Sequence, residues 1–352
     1  MSIQVNVIMG GPSAEYEVSL KSGREVLINL DKNQYRPRAV VVTQSKEFYY
    51  KDIDVDIPSE DILKSPDASF KGPFAPFQAE EVWNGCDVAF LALHGEFGED
   101  GVIQGFLDTL GIPYIGSDVY ASAVAMNKIT SKFLFSQSGL TVPPFSVYGT
   151  NYSQTSIDSI VEKHGFPCFV KCPQSGSSRL MGKAKDRQSL TSLLKKLQQS
   201  APDILVETTI TGTEFSCGVI EEPDGSLRSL PPVEIRPVGS DFFDYDAKYS
   251  EGATLEIVPA PHPQELLSRV EEVAKAAHRV IGCSGVSRTD MIYSDCKLYV
   301  LEINTLPGLT TTSLLPKAFK ADGGTYAGLL DLLISSAMGK GNKQVNELCS
   351  GN

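Results

Sequence analysis

The sequence has no run approaching the ~20 apolar residues that a membrane span requires, so the bilayer is excluded. Its opening, MSIQVNVIMGG, puts no basic stretch ahead of the apolar one and reads as a strand, not as a signal peptide. Positive charge is in deficit: 31 Lys and Arg stand against 43 Asp and Glu, a formal net charge of −12. That field repels polyanions, which argues against nucleic acid and anionic lipid, so any anionic substrate must be held by a few locally placed cations. The cysteines, at 86, 168, 172, 217, 283, 296 and 349, are odd in number and lack metal-type pairing. Reduced thiols of a cytoplasmic protein are expected, with Cys168 and Cys172 buried as small hydrophobes. No internal repeat or low-complexity tract occurs.

What is present is a chain of 352 residues, 41% hydrophobic and 21% charged, which is the composition of a soluble globular protein. That length fits two or three packed units of roughly 100 to 150 residues. Residues 3–9 (IQVNVIM), 37–43 and 86–93 are β-branched apolar runs, with a helix-like stretch to Leu30 after the first, so an α/β class with a β–α–β rhythm is expected. Open α/β sheets place ligands beyond the carboxyl ends of their strands, where Gly10-Gly11 and His94-Gly95 fall. Residues 44–80 lack periodicity and read as an insertion with short pieces of structure. A single helix is predicted over 117–138, capped by Ser117 or Asp118 and followed by Gly139. Strands are predicted at 166–171, 203–207, 214–221, 230–235 and 297–303, with helices at 186–200 and 263–281. The last dozen residues are expected to fray.

The most informative segment is VSRTDMIYSDCKLYVLEINTLPGLTTTSLLP, residues 286–316. It predicts a hairpin turning near Ser294-Asp295, with Asp290 near the end of one strand and Glu302 and Asn304 near the end of the other. Glu302 and Asn304, two apart, project from one face. Three hard oxygen donors suit magnesium that also takes phosphate oxygens and water. Asp290 alone could equally be a solvated acid, His94 alone a loop cap, and any one lysine a surface charge. The run Glu302-Ile-Asn-Thr-Leu-Pro-Gly308 is harder to dismiss, because Pro307-Gly308 fixes a turn that aims backbone donors at a ligand.

Arg288-x-Asp290, Glu302 through Gly308 and Ser313-Leu314 resemble the end of the nucleotide site of D-alanine:D-alanine ligases, members of the ATP-grasp superfamily. Gly10 through Ser19 (GGPSAEYEVS) and residues 91–117 (LALHGEFGEDGVIQGFLDTLGIPYIGS) resemble that family's two N-terminal signatures. The resemblance spans about residues 3 to 335. It implies three α/β domains, the first with a Rossmann-like parallel sheet, and here they read as 1–116, 117–207 and 208–338, with 339–352 as a tail. It further implies ATP and two magnesium ions, with manganese as an alternative, D-alanine as substrate, and a homodimer.

By the same resemblance Asp290, Glu302 and Asn304 bind the metals. Arg288 and the Gly308 amide face the oxyanion, while Ser313 and the Leu314 amide hold the second substrate's carboxylate. Glu15 takes the ammonium of the first substrate, with His94 and Glu99 beside it. Lys128 and Lys171 contact phosphate, Glu207 belongs to the adenine hinge, and Glu214 binds the ribose. Lys248 and Tyr249, on a closing loop, reach the γ-phosphate and, with Ser177, the first substrate's pocket. The chain departs from the pattern in the loop after Lys171, where Arg179 and Leu180 replace a small apolar residue and a glycine. Leu180 there puts a bulky side chain where positive φ was tolerated. Thr208 also stands in place of a frequent lysine, and Phe243 of a tyrosine. Two other readings stay open: a relative with D-lactate or D-serine as acceptor, and a nucleotide-binding protein without turnover.

Overall fold

Eight residues of the first strand, β1 (Ile3–Gly10), are buried or nearly so, the mark of a parallel strand covered on both faces. The computed structural model describes residues 2–53, 66–149, 155–175, 180–237 and 254–349. After β1 come α1 (Tyr16–Asn29), β2 (Tyr35–Val42), β3 (Phe48–Asp52), β4 (Lys71–Phe74), α2 (Glu80–Trp83), β5 (Val88–Leu91) and α3 (Val102–Leu110). The sheet order is β4-β3-β2-β1-β5; β1 is parallel to β2 and β5, and the two added edge strands are antiparallel. The expected β–α–β core is therefore there, and residues 44–80 supply β3 and β4 to its edge.

Gly10 ends β1 with φ +88, and a Cβ there would lie 2.4 Å from the Val42 carbonyl oxygen. The chain can turn against β2 only with glycine at that point. The turn delivers Glu15 to the N-cap position of α1, where its side chain makes no capping bond.

The single helix expected over 117–138 is two: α4 (Val119–Met126), capped by Asp118, and α5 (Lys128–Gln137), capped by Asn127. Asn127 is extended, with φ −93 and ψ 98, and its side chain accepts from the amides of Ile129 and Thr130. An Asx cap competing with the helix for backbone donors is the physical reason for the break. It sets Lys128 at the first position of a helix, where the macrodipole disfavours a cation.

The second sheet, β6 (Phe145–Gly149), β7 (Cys168–Lys171), β8 (Met181–Ala184) and β9 (Asp203–Thr208), is antiparallel in the order β6-β9-β7-β8, and carries α6 (Ile157–His164) and α7 (Arg187–Leu197). The third contains β10 (Thr213–Glu221), β11 (Leu227–Ser229), β12 (Val233–Pro237), β13 (Thr254–Ile257), β14 (Val286–Ser294) and β15 (Lys297–Asn304), in the order β13-β12-β10-β14-β15, with β11 on β10. The strand expected at 230–235 starts later, at Val233, behind the Pro231-Pro232 pair that cannot donate to a ladder. Helix α8 (Gln264–Ile281) packs on this sheet, and α9 (Leu314–Ala321) and α10 (Tyr326–Cys349) follow. The α10 backbone is helical to Cys349, where a frayed end was expected. Leu329, Leu330, Leu333 and Ile334 of α10 share one hydrophobic core with β1 and β5, so the chain's end closes back over its first sheet. Among the described residues, no helix is long and apolar enough to cross a membrane.

Candidate active site

Strands β14 and β15 meet in a two-residue turn in which Asp295 and Cys296 have φ of 47 and 62, the geometry that suits the twist of a tight hairpin. From that turn the register runs regularly until Met291 opposite Val300, and then Asp290 faces Glu302 and Arg288 faces Asn304. Leu301 is the extra residue of a β-bulge. Without it Asp290 would face Leu301, so the bulge is what puts Arg288, Asp290, Glu302 and Asn304 together on one face. Asp290 lies in mid-strand rather than near a strand end, and cross-strand pairing, not the hairpin's end, brings the acids together.

Arg288 donates to both oxygens of Asp290 at 3.0 and 2.8 Å, and the Ser216 hydroxyl donates to Oδ1 at 2.6 Å. Lys128 lies 3.0 Å from Glu302, and its ammonium also donates to the Ser175 carbonyl at 3.0 Å. These contacts offset the unfavourable start of α5. The resulting donor set is two carboxylates and one amide. Among the described residues no group of three His, Cys, Asp or Glu side chains forms a metal cage. Such a set is too small to enclose an ion alone, but fits a hard divalent cation that draws its remaining ligands from phosphate and water.

Two cavities adjoin this edge, and Lys128, Asp290 and Glu302 line both. The first, about 240 Å³, lies between the second and third sheets and is walled by Phe169, Lys171, Leu180, Met181, Glu207 and Glu214, among others. Phe169 pairs across the ladder with Glu207, and Lys171, two residues on, shares their face. Glu207 is almost wholly buried between Lys132 at 2.5 Å and Lys171 at 2.6 Å. Burial pushes its carboxyl pKa up, but the two ammonium groups outweigh that and hold it at about 2. The Thr208 hydroxyl is hydrogen-bonded to His164 Nδ1 at 2.8 Å, which ties the end of β9 to α6. Leu180 closes a backbone bridge to Cys172 and packs toward the core under α7.

The second cavity, about 380 Å³, is lined by Glu15, His94, Glu99, Arg288, Asn304, Gly308, Ser313 and Leu314, together with Lys21 and Glu256. His94 is buried, its Nε2 2.9 Å from the Ser22 hydroxyl, and burial depresses its pKa, which keeps the ring neutral near pH 7. Glu99 accepts from the Gly95 amide at 2.8 Å. Burial, and then the neighbouring Glu15 charge, raise its pKa to about 8. Burial opposes the charge on Arg288, yet Asp290 raises its pKa further still and keeps it cationic. A Cβ on Gly308 would approach the Ser313 hydroxyl to 2.9 Å, so this turn lies against the start of α9, whose first amides have no partner within the helix.

Fourteen of the seventeen residues to which the sequence resemblance gives a site role line these two adjoining cavities. Ser177, Lys248 and Tyr249 lie outside the described residues, as do Arg179 and Phe243. Lys132, Ser216 and Ser22 were not foreseen. Lys132 had one available signal, its place four residues after Lys128 on a predicted helix, which puts both on one face.

Sequence profiles described as the N-terminus and the C-terminus of D-ala D-ala ligase match residues 4–117 and 134–335. The chain belongs to the D-alanine–D-alanine ligase family. A D-alanine–D-alanine ligase of Leptospira biflexa serovar Patoc is 37% identical, covering 95% of this chain and 99% of that one. One of Geobacter sulfurreducens is 39% identical, with 95% and 94% covered. Among solved structures, the VanG D-Ala:D-Ser ligase of Enterococcus faecalis superposes with a TM-score of 0.84 at 30% identity, covering 96% of this chain and 100% of that one. The Bacillus anthracis D-alanine–D-alanine ligase complexed with ATP superposes at 0.75 and 31% identity, covering 97% and 100%. The α/β architecture is accordingly the ATP-grasp fold of this ligase family, and the protein is an enzyme of the ligase class.

Proposed function

We propose that this chain joins two D-alanines into D-alanyl-D-alanine at the expense of ATP, supplying cytoplasmic peptidoglycan precursor synthesis. The observation that carries the proposal is the shared edge: the cavity walled by Lys171, Glu207 and Glu214 and the cavity walled by Glu15, His94 and Ser313 meet at Lys128, Asp290 and Glu302. A phosphoryl group on that edge is within reach of a carboxylate bound on the other side.

The first D-alanine binds with its ammonium toward Glu15, beside neutral His94 and Glu99. Its carboxylate oxygen attacks the γ-phosphorus, the bond to the β-phosphate bridging oxygen breaks, and ADP leaves an acyl phosphate. The amine of the second D-alanine, held at its carboxylate by Ser313 and the Leu314 amide, then attacks the acyl carbon. Arg288 and the Gly308 amide face the oxyanion that forms, and inorganic phosphate departs with the proton lost by the attacking nitrogen as the carbonyl is restored. Lys171 and Lys128 orient the phosphates, and Glu207 and Glu214 border the adenosine. Two magnesium ions, or manganese, held by Asp290, Glu302 and Asn304 supply charge neutralisation across the phosphates when bound. Positioning and charge neutralisation are therefore the main sources of rate. A homodimer is part of the proposal, supported by the exposed apolar side chains Val102, Leu110, Val119 and Tyr120 along α3 and the start of α4.

The deciding measurement is ADP release with D-alanine as donor and D-alanine, D-serine or D-lactate as acceptor, with and without magnesium. The proposal expects D-alanine to be the preferred acceptor and turnover to stop without the metal. A preference for D-serine or D-lactate would reassign the acceptor, and ATP binding with no ADP released would leave only a nucleotide-binding protein.

A further inference from the structure

Lys132 lines neither cavity, and its side chain has no solvent exposure. It sits one helical turn beyond Lys128 in α5 and points inward between two sheets. Its ammonium lies 2.5 Å from Glu207 Oε1 and donates to the Leu301 carbonyl at 3.0 Å. The other oxygen of Glu207 belongs to Lys171, at 2.6 Å. Two lysines therefore share one buried carboxylate, and a sealed ammonium is retained in proteins only where such contacts compensate its desolvation.

The two contacts lead to two different parts of the active site. Glu207 is in the wall of the nucleotide cavity, on the second sheet. Leu301 is the bulge residue that shifts the β14–β15 register, so that Glu302 and not Leu301 stands opposite Asp290. We infer that Lys132 is a positioning residue that couples nucleotide binding to the divalent-ion edge. Through Glu207 it lets Lys171 engage a phosphate without leaving a buried carboxylate unneutralised. Through Leu301 it fixes the bulge that aims Glu302 at Asp290. The inference rests on the ligase reading only in taking the nucleotide to be ATP.

The test compares the full chain with Lys132→Met and Lys132→Arg in two binding measurements. One is the Kd for ATP in excess EDTA, by calorimetry. The other is manganese binding in the presence of ATP, by electron paramagnetic resonance. Lys132→Met should weaken metal-free ATP binding by about 30-fold or more, the effect of removing one partner of a buried ion pair. It should weaken manganese binding by about tenfold, as loss of a group supporting a metal ligand does. Lys132→Arg, which keeps the charge, should recover part of both. The KM for D-alanine should stay within about twofold, since that cavity loses no contact.

A residue that merely held the fold together would lower the thermal midpoint and leave both affinities at the parental values in the folded protein. That result would overturn the inference. Should Lys132→Met not fold, the double variant Lys132→Met/Glu207→Gln, which removes the fully buried carboxylate together with the ammonium that neutralises it, carries the test. It still lacks the Leu301 anchor, so parental manganese affinity in it would equally refute the idea. Failure of the ligase reading would look different: wild-type protein that binds ATP and manganese yet releases no ADP with any D-amino acid.

Discussion

Within one cleft, two glutamates titrate in opposite senses because their neighbours differ in sign. Glu207, between two lysines, is held at about 2, so its contribution to stability is present above the usual carboxyl value of 4.5 and is lost as pH falls toward 2. Glu99, buried and beside Glu15, is raised to about 8. Between 4.5 and 8 the folded chain holds a proton that the unfolded chain has released, so stability falls as pH rises through that window. Glu99→Gln keeps an acceptor for the Gly95 amide and removes the titration. Denaturant unfolding followed from about pH 5 to 8 should then show a shallower decline than the parent. Arg288 is the other residue with a separable effect. Its replacement by Met should lower kcat by about 10² to 10³-fold while leaving ATP binding largely intact, as loss of one oxyanion donor does. Ser216→Ala, which takes one hydrogen bond from Asp290, should weaken magnesium activation by about 10 to 100-fold without touching the KM for D-alanine. An unchanged magnesium requirement would separate Ser216 from the metal edge.

At the scale of elements, the site depends on interruptions of regular structure. The break at Asn127 starts α5 with Lys128 facing Glu302, and the bulge at Leu301 turns Glu302 toward Asp290. A continuous helix or an unbroken ladder would rotate either side chain away from the shared edge. Asn127→Ala removes the acceptor for two amides and should cost about 1 kcal/mol of stability in urea unfolding. It should also weaken ATP binding, because Lys128 loses its fixed start. Stability lost with ATP affinity unchanged would mean that the helix start does not set the lysine.

For the molecule as a whole, the cleft is assembled from all three sheets, and the α10 helix ties the last unit to the first. Ser284 extends the tie, its hydroxyl donating to the Gly116 carbonyl at 3.0 Å and its amide bonding the Ser117 hydroxyl at 3.1 Å. A ligand bound between such units stabilises all of them together. ATP with magnesium at 100 times its Kd should raise the unfolding free energy by about 2.7 kcal/mol, seen as a higher thermal midpoint. The dimer expectation is tested at the same scale: Leu110→Glu should convert a dimer to monomer in sedimentation velocity, and an unaltered species would move the interface elsewhere.

The sequence by itself determined the alternation of strands and helices, because apolar periodicity reports which face each segment buries. It also singled out Glu302-x-Asn304, two oxygen-bearing side chains that share one face of an otherwise apolar strand. It did not contain the split of α4 from α5, the bulge, or the burial of Lys132. The bulge and the burial depend on partners in other segments, Val300 for Met291 and Glu207 and Leu301 for Lys132, and the split, made locally by the Asn127 cap, is held by Pro173 and Ser175 on Lys128. Local patterns record which residues can face a cleft. Which of them meet across it was decided by tertiary packing, because register and charge pairing are set between segments and not within them.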